Sequence, residues 1–472
     1  MQITHEQFNS SLLQHFGMVP TDDQIRLFHA FQRLLFTARP RATLIVNGHA
    51  GTGKTTSLKA LLNCLDQYSL RYELMAPTGR AAKVMAAITG RAAYTIHRQI
   101  YHGFDDQRDG FYSVRANRMS GCLYIIDEAS MIGDHSESDL LSHLMEFVFE
   151  RNGNKLILLG DSAQLPPVGM SNSPALMEDE LRRSFDLTIA TIHLQQVVRQ
   201  ELDSGILLNA NRLREMQAQT EKALPVMVVK SGSDVESIES ISDELELAYS
   251  MYGKEDVMII TRSNKRANLF NQQIRMRVLG SEEEIQSGDR MMVIRNNYFW
   301  NQEDTAAGFI ANGDIIRIVR LLRMEQKGKF RFCRAEIELC EQENLKRLEC
   351  TLLCNTIDID QAGVSREFFS ELYDEIAKDY PDITQSRLLK KALKEDVYVN
   401  ALHVKFAYAI TCHKAQGGQW PCVFVDQGYL TEEMTGKELY RWYYTAVTRA
   451  SEKLYLMGLH PEQIEQRTIE HN

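Results

Sequence analysis

The sequence predicts an α/β protein built on parallel sheets, and three observations carry that reading. Three fully apolar runs, Thr43-Leu44-Ile45-Val46, Leu123-Tyr124-Ile125-Ile126 and Leu156-Ile157-Leu158-Leu159, each end in a Gly- or Asp-containing loop. Strands apolar on both faces need cover on both faces, the condition of a parallel sheet flanked by crossover helices. The first run leads into a segment with Leu58, Leu61, Leu62 and Leu65 at helical spacing, a stripe suited to packing on such a sheet. Val257-Met258-Ile259-Ile260, Val423-Phe424-Val425 and Leu454-Tyr455-Leu456 repeat the strand pattern in the second half.

In order along the chain, residues 1–190 hold the first α/β block and a second starts near 191, is interrupted at 295–399 and resumes over 400–472. Within the interruption, 309–354 read as several short strands with turns at Asn312-Gly313 and Lys327-Gly328, whereas 365–397 is charged and helical. Residues 234–246, with six acids and no base, read as a solvated helix face. A length of 472 residues suits about three packed units at roughly 150 residues each.

Composition excludes several classes. With 44% hydrophobic and 25% charged residues, neither a disordered nor a fibrous chain fits. No run approaches ~18 apolar residues, and MQITHEQFNS lacks the basic and apolar parts of a secretory signal, so a cytoplasmic protein is expected. A net charge of −10 requires any nucleic-acid surface to be local. The eight cysteines form no CxxC pair and read as reduced core thiols; Cys333, Cys340, Cys350 and Cys354 are irregularly spaced for zinc.

Gly48-His49-Ala50-Gly51-Thr52-Gly53-Lys54-Thr55 matches GxxxxGK[ST] between a strand and a helix. Gly48, Gly51, Thr52, Gly53 and Thr56 shape a backbone cradle for phosphates, Lys54 brings charge to the β/γ oxygens, and Thr55 offers a hydroxyl to Mg²⁺. At the end of a strand, Asp127-Glu128 suits a metal-holding aspartate followed by a glutamate acting on the attacking water. Gln164, in Gly160-Asp161-Ser162-Ala163-Gln164-Leu165-Pro166-Pro167, suits a γ-phosphate sensor or simply a rigid loop.

These segments, taken with Ala76-Pro77-Thr78-Gly79-Arg80-Ala81-Ala82, Thr95-Ile96-His97-Arg98, Asp127-Glu128-Ala129-Ser130, Val198-Arg199-Gln200, Thr411-Cys412-His413-Lys414-Ala415-Gln416-Gly417 and Tyr444-Thr445-Ala446-Val447-Thr448-Arg449-Ala450, resemble superfamily 1 DNA helicases, above all the RecD-like and phage Dda-like branch. The resemblance implies two RecA-like P-loop NTPase domains, an SH3-like β module inserted in the second, and ATP-driven 5′-to-3′ movement on single-stranded DNA with unwinding of tailed duplexes. It implies ATP and Mg²⁺, with Lys54, Thr55 and Asp127 on triphosphate and metal, Glu128 on water, Gln164 on the γ-phosphate and Gln24 on adenine. Arg199 and Arg449 match arginines that the second domain points at the γ-phosphate. Thr78, Thr95, His97, Thr411 and His413 match contacts to the DNA strand, although both histidines also suit a core.

His49 departs from the small or apolar residue expected there. Between residues 99 and 119, two aromatic-bearing runs around a polar turn read as a hairpin wedge with Phe104 or Phe111 as its strand-separating ring, or as hairpin core. Residues 317–334 carry seven Lys/Arg against one Glu, interleaved with Phe330 and Phe332, which suits a single-strand surface or a solvated strand face. A single-strand-binding or replication and repair protein is an expected partner. Two other classes remain open: a P-loop kinase, and an ATP-switched scaffold without unwinding.

Overall fold

The computed structural model describes residues 4–101, 114–135, 138–196, 204–219, 223–230, 232–300, 310–340, 347–361, 363–431 and 434–466. The three apolar runs of the first half lie side by side in a six-stranded sheet. Its order is Tyr94–Thr95, Tyr72–Ala76, Leu123–Ile126, Lys155–Gly160, Ala42–Gly48 and Thr188–Leu194. Every pairing in it is parallel. Leu58, Leu61, Leu62 and Leu65 of helix Lys54–Gln67 are buried against it, as the spacing required. The sheet extends through Leu194, past the expected break at 190.

A second, five-stranded sheet runs Val235–Ile238, Ala450–Met457, Trp420–Asp426, Val257–Thr261 and Ala409–Thr411, again all parallel. It gathers the three apolar runs of the second half. The acidic stretch 234–246 is not one helix face: Val235–Ile238 is an edge strand and only Ser242–Tyr252 is helical. Val235 and Leu245 are buried within it, so the acids are the outward positions of two different elements.

Between Val257–Thr261 and Ala409–Thr411 along the chain, the interruption forms a closed five-stranded barrel of Arg290–Val293, Ile315–Lys327, Phe330–Leu339, Arg347–Leu353 and Leu402–Phe406. Ile315–Lys327 and Phe330–Leu339 are longer than the short strands expected and form a hairpin turning at Gly328, φ +53°. Helices Arg366–Ala377 and Ser386–Lys394 cover one end, burying Leu372, Ile376 and Leu393 with Phe330, Phe332 and Leu353.

That packing corrects the single-strand reading of 317–334. Alternation along a strand sends Phe330 and Phe332 inward, where each is 1% exposed, and the basic residues outward. All seven basic side chains are paired with acids: Arg317 with Glu338 and Glu255, Arg320 with Glu336, Arg323 with Glu325, Lys327 with Asp379, Lys329 with Glu371, Arg331 with Glu284 and Arg334 with Glu349. The face is solvated and locally neutralised. Cys333, Cys350 and Cys354 are in the barrel core, where burial pushes their thiols up, and among the described residues no cluster of His, Cys, Asp and Glu could hold a metal.

The barrel returns to the second sheet through Ala407-Tyr408 alone, between the strands Leu402–Phe406 and Ala409–Thr411. Asn271 brackets this joint: its amide nitrogen donates to the carbonyls of Phe406 (3.0 Å) and Ala409 (2.9 Å), and its oxygen accepts from the N–H groups of Tyr408 (2.9 Å) and Ala409 (2.8 Å). Among the described residues no helix is long and apolar enough to cross a membrane.

Candidate nucleotide and nucleic-acid site

The phosphate loop leaves the strand Ala42–Gly48 and ends at Gly53, which caps the helix Lys54–Gln67 with φ 76°; Gly51 is likewise at φ 74°. Only glycine takes this left-handed backbone at no steric cost. A Cβ on Gly48 would sit 2.8 Å from Lys54 Cγ, so the bare backbone there makes room for the lysine stem. Lys54 Nζ donates to the carbonyl of His49 (3.0 Å) and to that of Gly48. The loop amides and the helix N-terminus form an anion cradle, with Thr55 half-buried and Thr56 exposed. Gln24 is 2% exposed: its oxygen accepts from the N–H of Thr21 (2.9 Å) and its amide donates to the Thr52 carbonyl (3.1 Å), so it braces the loop.

Asp127 and Glu128 follow the strand Leu123–Ile126, which Lys155–Gly160 separates from Ala42–Gly48 in the sheet. Asp127 Oδ1 accepts from the N–H of Glu128 (2.9 Å), and Glu128 takes φ 52°, a strained conformation for a residue with a Cβ. Burial pushes both carboxyls up, and for Glu128 the charge of Asp127 adds to this, while Arg449 and Lys54 work against it. Two acids resisting ionisation side by side are relieved by a divalent cation. The Thr55 hydroxyl and the Asp127 carboxylate are the hard oxygen donors that Mg²⁺ prefers. Gln164 is 6% exposed and its Oε1 has no hydrogen-bond partner, an acceptor that a water molecule could satisfy.

The second α/β unit meets this site through the helix Lys437–Val447. Tyr444 OH donates to Asp161 Oδ2 (2.6 Å) and accepts from the Ala50 N–H (3.0 Å), while Thr445 Oγ1 accepts from the N–H of Leu165 (2.8 Å). Gln416 donates to the Leu165 carbonyl (2.8 Å). Arg449 is 7% exposed, and its guanidinium donates to the carbonyls of Thr445 (3.0 Å) and Gly418 (3.2 Å).

A cavity of about 960 Å³ lies where the two α/β units and the barrel meet. Four of the five residues matched to strand contacts line it: Thr78, Thr95 and His97 from the first unit and His413 from the second. The fifth, Thr411, precedes His413 on the turn into the short helix Cys412–Ala415. Thr78 and Thr95 each cap a helix, accepting from the N–H groups of Ala81 and Arg98 at 3.2 Å; a hydroxyl that accepts in a cap keeps its hydrogen to donate. Burial lowers His97 to about 4 and lowers His413, so His97 meets the cavity as a neutral ring. The barrel closes the cavity with Arg295, Tyr298, Asn312 and His403. Lys83 pairs with Asp314 (2.8 Å), and Lys414 donates to Asn312 (2.7 Å).

Two family models match the chain in order, an AAA domain over residues 28–238 and a UvrD-like helicase C-terminal domain over 406–457. The ATP-dependent RecD2 DNA helicase of Deinococcus radiodurans is 33% identical over 175 residues, 37% of this chain and 22% of that protein. Over these segments the chain is similar to helicases of the RecD/Pif1-like branch of superfamily 1. An uncharacterized protein of Acanthamoeba polyphaga mimivirus is 22% identical, with 87% of this chain and 94% of that one covered. A solved structure of Pif1 helicase from Bacteroides in complex with ADP-AlF3 and ssDNA shares the fold at TM-score 0.50 and 18% identity, covering 94% of each chain. The chain spans about a fifth of the length of the Deinococcus relative, and 36% of an uncharacterized protein of Methanocaldococcus jannaschii that is 22% identical to it.

The structure gathers Gln24, the phosphate loop, Asp127, Glu128, Gln164 and Arg449 around one cleft. Arg199, Phe104 and Phe111 lie outside the described residues, as does most of the expected hairpin wedge, whose base is marked by an antiparallel bridge between Tyr101 and Val114. Sequence reasoning missed Tyr444, Thr445 and Gln416 as bonds between the two units; all three lay within the recognised motifs. It also missed the barrel's wall of the cavity, for which Asn312-Gly313 gave no signal beyond a turn.

Proposed function

We propose that this chain is an ATP-dependent DNA helicase that moves 5′-to-3′ along a single strand and separates duplex ahead of it. One observation carries the reading: the phosphate loop and the strand-sized cavity are both bounded by the same two α/β units, so a nucleotide that changes their approach changes the grip on a strand as well. The DNA helicase activity of the Deinococcus relative supports it, as do the ADP-AlF3 and ssDNA bound together by the Bacteroides Pif1 helicase.

In this reading Lys54 leaves the carbonyls of Gly48 and His49 for the β- and γ-phosphate oxygens, and the vacated loop closes on the phosphates. When bound, Mg²⁺ held by Thr55 and Asp127 neutralises charge on those oxygens. Glu128, its carboxyl raised by burial and by Asp127, accepts the proton of the attacking water, which Gln164 orients. Arg449 and Arg199 stabilise the charge on the transferring phosphoryl group, and Gln24 reads adenine at the loop's edge. In the cavity, the hydroxyls of Thr78, Thr95 and Thr411 donate to phosphates while His97 and His413 supply neutral contacts, fixing register without reading sequence. Phe104 or Phe111 caps the first closed base pair.

The same reading makes the first unit, carried through Leu194, and the second unit two RecA-like motors, with the barrel between Arg290 and Phe406 an SH3-like module, and places the protein in the cytoplasm with a single-strand-binding or repair protein as partner. The test is phosphate release with and without single-stranded DNA, followed by unwinding of duplexes tailed at either end. Strong stimulation with unwinding only from a 5′ tail is expected; a rate indifferent to DNA overturns the proposal.

A further inference from the structure

We propose that Tyr444, acting through the peptide group between His49 and Ala50, is the positioning residue by which the second α/β unit senses whether the phosphate loop is filled; this rests on reading that loop as the nucleotide site. The argument begins with one rigid plane. A peptide unit cannot twist internally, so its C=O and N–H move together. The carbonyl of the His49–Ala50 unit accepts from Lys54 Nζ (3.0 Å) and from Thr52 Oγ1 (2.7 Å), and its N–H donates to Tyr444 OH (3.0 Å). Lysine and tyrosine thus hold opposite edges of the same plate, one from inside the loop and one from the other unit.

Filling the loop draws Lys54 toward phosphate and removes one of the holds on the carbonyl edge. Thr52, through its hydroxyl (2.7 Å) and its N–H (3.4 Å), still holds that edge; the plate turns about this remaining hold, and turning it displaces the N–H that Tyr444 holds. Tyr444 is 2% exposed on the helix Lys437–Val447, so its hydroxyl cannot follow without carrying the helix. The side chain of His49 ties the plate to a second anchor. His49 Nδ1 lies 3.2 Å from Asp161 Oδ1, and the other oxygen of Asp161 accepts from Tyr444 at 2.6 Å. Asp161 is 1% exposed, and although burial alone would raise its carboxyl, His49, Lys54 and Tyr444 outweigh burial and hold it below the usual carboxylate range. His49 therefore closes a ring of contacts from loop to aspartate to tyrosine and back to loop. A small apolar residue in its place would leave that ring open.

The experiment uses the full chain with Cys340→Ser and fluorophores on cysteines introduced at Lys59 and Glu246, both exposed and one in each unit. Energy transfer reports the approach of the units on adding a non-hydrolysable ATP analogue with Mg²⁺, and fluorescent ADP reports affinity. Tyr444→Phe should lower ADP affinity by no more than about threefold while the nucleotide-dependent change in transfer falls to under about a third of the wild-type change. His49→Ala should do the same, the double variant should be no worse than either single, as for members of one linked unit, and His49→Asn, whose amide can reach Asp161, should restore the response. Parallel loss of affinity and response, additive effects, or an intact response in Tyr444→Phe overturns the proposal. Failure of the wild type to bind ADP refutes the site reading and this proposal with it, whereas wild-type binding with no change in transfer refutes this proposal alone.

Discussion

Arg449 is the sharpest test of how the two units share the chemistry. Its guanidinium, 7% exposed, donates to the Thr445 and Gly418 carbonyls at 3.0 and 3.2 Å and to the Thr448 hydroxyl at 3.1 Å, and its charge is felt at Glu128 across the cleft. Truncation to alanine removes these bonds, each worth about 1.5–3 kcal/mol when one partner is charged, but also relieves the cost of burying the cation, so the net loss of stability is modest. The catalytic loss has a different size. An arginine that neutralises a transferring phosphoryl group contributes about 10³ or more in rate, or about 4 kcal/mol. Turnover at saturating ATP and single-stranded DNA should fall by about 10³ in Arg449→Ala, with fluorescent ADP affinity and the urea midpoint changed far less. Arg449→Lys, which keeps the charge but loses the planar fork, should recover only a small part. A loss below about tenfold, under ~1.4 kcal/mol, refutes the role.

Lys54→Ala should abolish nucleotide binding, whereas Glu128→Gln should abolish turnover with ADP affinity retained; full turnover in either contradicts the assignment of the cleft. Replacing residues 104–111 by a short turn should leave DNA-stimulated phosphate release near wild type while unwinding collapses, and a joint fall would make the segment structural. Acid should destabilise the fold in a defined window. Burial lowers His97 to about 4 and, together with the charge of Arg295, lowers His403 to about 3, while an unfolded chain protonates both near 6.5. The unfolded form therefore binds more protons between those values, so stability is complete above about pH 6.5 and falls as pH drops through 4. Urea midpoints at pH 7.5, 6 and 5 should show this slope, and it should flatten in the His97→Gln, His403→Gln double variant.

What could be read from the sequence is what is local. The phosphate loop needs its glycines and lysine within eight positions, and Asp127-Glu128 needs only a strand before it, so both were legible from spacing. The apolar runs were legible because an interior strand of a covered parallel sheet is buried on both faces. Residues 317–334 show where this fails: charge counted along the chain cannot tell a groove from a strand whose partners are acids on other elements, such as Glu338, Asp379 and Glu371. The same holds for 234–246, where one acidic run crosses from a strand to a helix. Tyr444 and Asp161 stand 283 residues apart, and no pattern shorter than the fold itself could join them.

Asn271 gives the barrel a mechanical character. The barrel joins the second sheet both by the chain entering at Arg290 and by the return through Ala407-Tyr408, and its Met291, Ile316 and Ile337 pack in one cluster with Val257, Ile259 and Phe424 of that sheet. Here four hydrogen bonds from a single amide splint Phe406, Tyr408 and Ala409 into one stiff passage. Tyr408 is itself pinned by its hydroxyl, which donates to Asp289 (3.2 Å) and accepts from the Arg290 N–H (3.1 Å) on the barrel side. The strand Ala409–Thr411 that follows leads directly to His413 at the cavity wall, so a braced length of chain connects the barrel to that wall.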